Sequence, residues 1–155
     1  MSIRLRTADD VRPSFKVSAF ALVPSFTPMH NDFPRFPLFA GAVLAALGVA
    51  LGAFGAHGLR SLLDDAALAW WQTAVQYQMW HAIGLMALGA ARLPRSLLPA
   101  AMLAAGTVIF AGTLYAMALG GPRWLGAVTP VGGSLMILGW LMLAWRVLRG
   151  APRGL

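Results

Sequence analysis

Four stretches of this chain contain no Asp, Glu, Lys or Arg: residues 36–59, 66–91, 96–122 and 124–145. Each exceeds the roughly 20 residues with which a helix crosses about 30 Å of hydrocarbon. Lipid offers no water to a free N–H or C=O, so such runs satisfy their backbones internally, as helices. The pattern predicts an all-α chain, a four-helix transmembrane bundle, with helices over about 37–57, 66–91, 97–119 and 129–148 in a domain of residues 36–150. Composition agrees, since 59% of the 155 residues are hydrophobic and only 11% charged, against about a quarter charged in a soluble domain.

The net charge of +7 raises nucleic acid as a partner, but the basic residues form no stripe and instead flank the apolar runs. With a cytoplasmic N-terminus, Arg4, Arg6, Arg12, Lys16, Arg35, Arg92, Arg95, Arg146, Arg149 and Arg153 fall inside, and only Arg60 and Arg123 fall outside. That is a positive-inside pattern, and it survives removal of the first 28 residues. It predicts a multi-pass membrane protein with both termini cytoplasmic. The expected partner is the lipid bilayer, with a homo-oligomer or another membrane protein as further candidates and no nucleic acid. Cysteine is absent, which removes disulfides, thiolate metal sites and thiol redox chemistry.

Residues 1–33 have mixed charge, three prolines (Pro13, Pro24, Pro28) and no periodicity, and the stretch 1–35 reads as a disordered tail. The short apolar patch at 17–23 lacks a small-residue cleavage site and does not make a signal peptide. Met29, just before the first apolar run, is an alternative start, so residues 1–28 also read as an over-extended beginning.

Along the first helix Gly41, Gly48, Gly52 and Gly55, with Ala45, recur at helical spacing and predict a packing face, because small residues let helix backbones approach closely in lipid. Gly58 reads as the helix stop, with His57 in the last turn. Asp64 and Asp65 sit where an N-cap of the second helix belongs. Gly120-Gly121-Pro122 breaks the third helix, and Thr129-Pro130 reads as hydroxyl cap and first-turn proline of the fourth. No internal repeat relates the two halves, which counts against a transporter of inverted repeats.

Chemistry-bearing residues are few. Thr73, Tyr77, His81 and Gly84 share one face of the second helix, and His81 lies near mid-membrane, where a titratable group is a functional candidate. The competing reading is a neutral imidazole bonded to Tyr115, Thr113 or a backbone carbonyl as part of the packing. His57 reads as a helix-end cap, and Tyr115 as a cross-helix donor. His57 and His81 together do not suit one iron or metal, since helical rise separates them by about 15 Å in depth. No nucleophile–base grouping, metal cluster or phosphate loop is present in the pattern. The polar candidates are thus His81, Tyr77, His57 and Tyr115, with no catalytic, cofactor or metal residues expected.

Gly52-Ala-Phe-Gly-Ala-His-Gly58, Tyr77-Gln-Met-x-His81, Phe110-x-Gly-Thr-Leu-Tyr115 and Thr129-Pro-Val-Gly-Gly133 with Gly139-Trp140, in that order, resemble the domain-of-unknown-function 423 family. These are small bacterial membrane proteins similar to the vertebrate transmembrane protein 256. The resemblance covers about residues 36–148 and implies a four-helix integral membrane protein, without catalytic or binding residues to carry over. The expectation is an integral inner-membrane protein of unknown molecular activity with a noncatalytic structural or partner-binding role. The alternative is a small-solute or proton pathway around Tyr77 and His81.

Overall fold

A computed structural model describes residues 35–93 and 95–150; the expected tail of residues 1–35 lies outside them except for Arg35. They form four helices, α1 (Phe36–His57), α2 (Asp65–Ala90), α3 (Leu97–Ala118) and α4 (Leu125–Gly150), joined by short connections. Among the described residues there is no strand.

Three helices, α1, α3 and α4, are long and apolar enough to cross a membrane. The sequence reading expects four, and the difference is α2. At 26 residues α2 is the right length, but Gln72, Gln76, Gln78, His81 and its tryptophans lower its hydropathy. It nevertheless runs the same depth as α1, in the opposite direction. Gly89 of α2 lies against Leu38 near the start of α1, and Trp71 against Gly55 near its end. Two of its polar side chains, Gln78 and His81, are turned inward, so composition alone understates it.

Helices α2 and α3 pack together at the centre, α1 against α2 and to a lesser extent α3, and α4 against α3. The core is a cluster of Leu44, Ala82, Leu85, Leu88, Ala100, Leu103 and Met136. The outer helices leave large apolar side chains uncovered, such as Phe39, Val49, Ile137 and Leu148, as surfaces facing lipid tails do.

The ends follow local chemistry. Asp64 caps α2, its Oδ1 accepting from the Ala67 amide at 2.7 Å. After α3, Gly120 takes φ +87°, a left-handed conformation that glycine adopts without strain, and its amide bonds the Met117 carbonyl. Helix α4 begins at Leu125, a turn earlier than the Thr129-Pro130 pair predicts. Its first turn is closed by amides of Leu125, Gly126 and Ala127 on the carbonyls of Pro122, Arg123 and Trp124. Pro130 therefore lies inside the helix, and Thr129 points its hydroxyl back to the Leu125 carbonyl at 3.2 Å and across to Thr113 at 2.8 Å.

Candidate functional site

The interior polar chemistry is organised by α2, which has one face for α1 and another for α3 and α4. On the first, Gly41, Gly48 and Gly55 of α1, seven residues apart, lie against α2. A methyl group at Gly41 would sit 2.7 Å from the Ala82 carbonyl oxygen, and one at Gly55 2.5 Å from the Trp71 ring. Gly52 meets only Val75, at 3.3 Å, so the four expected packing glycines divide into three at the seam and one beside it.

That close approach brings side chains of α2 within reach of the α1 backbone. Trp71 Nε1 donates to the Leu51 carbonyl at 2.9 Å, and Gln78 Nε2 donates to the Leu44 carbonyl at 2.8 Å. Donors and acceptors each step by seven residues in opposite directions, as two antiparallel helices in steady register require. The other end of the Gln78 amide accepts from Tyr115 Oη of α3 at 3.0 Å. Gln78 thus ties α1, α2 and α3 together from a site only 4% exposed. Tyr115 also packs its ring 4.5 Å from that of Trp71, and Phe54 meets Trp71 edge-on at 6.0 Å.

The opposite face carries Tyr77 and His81. His81 Nδ1 lies 2.8 Å from the Tyr77 carbonyl of its own helix. A carbonyl only accepts, so Nδ1 carries the proton and, in the neutral ring, Nε2 keeps its lone pair. The imidazole is nearly parallel to the Tyr77 ring at 6.2 Å and the same distance from Trp140 of α4, while Tyr77 rests on Phe110 of α3 at 4.6 Å. Gly84 makes room for Trp140, which a methyl there would approach to 2.9 Å. His81 is an aromatic-boxed side chain whose one hydrogen bond among the described residues stays within α2.

Of the four polar residues singled out from sequence, the structure joins His81 with Tyr77 and assigns Tyr115 to the Gln78–Trp71 group. His57 is exposed at the end of α1, apart from both. Sequence reasoning passed over Gln78 and Trp71. The available signal was their seven-residue step, matched by the glycines of α1.

The α3–α4 seam is drier. Gly106 and Gly132 bring the two backbones together, a methyl at Gly132 falling 2.7 Å from the Gly106 carbonyl oxygen. Thr107 and Thr113 bond backbone carbonyls of α3, and Thr113 also pairs with Thr129. Between α1 and α3 a groove of about 430 Å³ is lined by Phe36, Phe39, Val43, Val108 and other apolar side chains. Among the described residues no three His, Asp or Glu side chains converge.

The charged residues segregate by end. Arg35, Arg92, Arg95, Arg146 and Arg149 lie where α1 and α3 begin and α2 and α4 finish, and Arg146 donates to the Arg95 carbonyl there. Arg60, Arg123, Asp64 and Asp65 lie at the other end.

A family model described as "Protein of unknown function (DUF423)" matches residues 51–133, from the end of α1 to the start of α4. A UPF0382 membrane protein of Staphylococcus haemolyticus is 44% identical over 68% of this chain and 89% of its own length. The UPF0382 membrane protein YwdK of Bacillus subtilis is 43% identical over 68% of this chain and 90% of its own. The UPF0382 inner membrane protein YgdD of Escherichia coli K12 is 36% identical over 77% of this chain and 95% of its own. No solved structure matches.

Proposed function

The chain belongs to the DUF423 family of small bacterial membrane proteins, and on that premise we propose that it is a noncatalytic inner-membrane protein that works by helix-face association in the bilayer. One observation carries this reading. The buried Gln78 amide has donor and acceptor both engaged in cross-helix bonds, the use expected of packing glue in lipid. The glycines of α1 are likewise taken up by α2, which leaves association to the outer faces. Crosslinking in native membranes tests it: a reproducible partner or homodimer is expected, and monomer alone under gentle conditions would count against it.

Both termini are proposed to be cytoplasmic, on the support of the five arginines gathered at one end of the helices. The absence of cysteine makes the test direct. In intact cells a membrane-impermeant maleimide should label Ser61→Cys but reach Ala91→Cys only after lysis; the reverse pattern inverts the topology.

A second reading, a small-solute or proton pathway around Tyr77 and His81, draws on one feature. His81 Nε2 is left an acceptor without a hydrogen-bond partner among the described residues. It requires pH-dependent flux in proteoliposomes that His81→Ala abolishes while the fold persists, and equal flux in both proteins ends it.

A further inference from the structure

Gln72 and Gln76 stand one turn apart on the face of α2 that points away from its helix neighbours. Both side chains are exposed, and neither amide has a hydrogen-bond partner among the described residues. The stripe continues through Trp80 and Ile83, 56% and 58% exposed. Counted from Asp65 at 1.5 Å per residue, Gln76 lies about 16 Å along a helix about 39 Å long. A hydrocarbon layer of about 30 Å centred on that helix puts Gln76 about 3 Å from its midplane and Gln72 roughly 6 Å beneath its surface. Lipid tails give a primary amide neither donor nor acceptor, and polar groups at such depth face protein or water. The buried Gln78 of the same helix meets this demand inside the protein; Gln72 and Gln76 do not.

We propose that this face of α2 is an interface between two copies of the chain, with Gln72 and Gln76 of each copy hydrogen-bonded to their equivalents. This rests on the association reading above and names its surface and partner. The chemistry of the amide points to a second copy. Copies inserted in the same orientation are related by a two-fold axis along the membrane normal, which sets each residue opposite its own equivalent at the same depth. A primary amide holds both donor and acceptor, so an identical amide completes it, Nε2 donating to Oε1 in each direction. Ala69, on the same face, and Thr73, half-buried at its edge, are small enough to let two backbones approach.

Single-cysteine variants of the full chain in native membranes test the surface without background, since the protein has no cysteine. Ala69→Cys retains both glutamines and Gln72→Cys retains Gln76. Oxidation should trap each as a homodimer at several times the yield of Val49→Cys on α1 and Ile137→Cys on α4, both in exposed positions. Equal yield at all four positions overturns the proposal. In detergent, with the helical content checked by circular dichroism, Gln76→Leu should raise the dimer dissociation constant roughly five- to tenfold, about threefold for each of two reciprocal bonds. An unchanged constant refutes the amide pairing. A different protein trapped at Ala69 or Gln72 overturns this proposal and leaves the association reading standing, whereas monomer at every position overturns both.

Discussion

Replacing single glycines by alanine should give effects of opposite sign along the bundle, set by what the new methyl meets. Alanine favours a helix over glycine by about 1 kcal/mol. At Gly112 nothing lies within 4 Å, so that gain should appear almost whole, up to about 1 kcal/mol of stabilisation. At Gly48 the methyl would lie 2.6 Å from Met79 Sδ, the far end of a flexible chain that can turn aside, and the effect should be near zero. At Gly41 it would lie 2.7 Å from the Ala82 carbonyl oxygen and 2.8 Å from the Met86 amide nitrogen, and at Gly132 2.6 Å from the Phe110 amide nitrogen. Backbone atoms inside packed helices cannot turn aside, so the helices separate by several tenths of an ångström. Overpacking of this kind costs about 1–3 kcal/mol, leaving about 0–2 kcal/mol of net destabilisation after the propensity gain of about 1 kcal/mol. At Gly41 the separation also stretches the Gln78–Leu44 bond. Unfolding of micelle-bound protein by sodium dodecyl sulfate, followed by far-ultraviolet circular dichroism, reads the series. Shifts of the same sign and size at Gly41, Gly132 and Gly112 would refute the close-approach reasoning.

The same assay checks three further substitutions. Trp71→Phe removes the bond to the Leu51 carbonyl but keeps an aromatic ring against Tyr115, and should destabilise by about 0.6 kcal/mol, at most about 1.7; no loss would mean the indole N–H contributes nothing. Asp64→Ala removes the α2 cap and should cost about 0.5–2 kcal/mol, with Asp64→Asn largely restoring it. Pro130→Ala returns an amide to pair with the Gly126 carbonyl and should stabilise by about 1 kcal/mol; destabilisation would show that the proline favours the bundle.

The helices were legible because hydrocarbon imposes a length and a charge rule that any sequence displays. Their partners were less so. The stripe of Gly41, Gly48, Gly52 and Gly55 marks a close contact but not the helix that fills it, and α2 fills it. Gln78 was hidden because its acceptor is the Leu44 main chain, which leaves no mark in the sequence beyond a seven-residue step. His81 stood out by being ionisable, yet its bond is to the Tyr77 carbonyl of its own helix. The start of α4 was misplaced because Thr129-Pro130 is a strong local signal. Tertiary contact overrides it, as Thr129 is engaged by Thr113 across the seam and the chain is already helical from Leu125. The hydropathy of α2 failed as a guide for a related reason: Gln78 and His81 are held inside the bundle, so they never meet lipid.

The lock at Gln78 is tested most directly by a double-mutant cycle with Tyr115, measuring unfolding in micelles for Gln78→Leu, Tyr115→Phe and the pair. A shared bond predicts a coupling of about 0.6–1.7 kcal/mol, with Tyr115→Phe nearly silent once Gln78 is leucine. Strictly additive losses would contradict it and leave the buried amide without the structural role assigned to it.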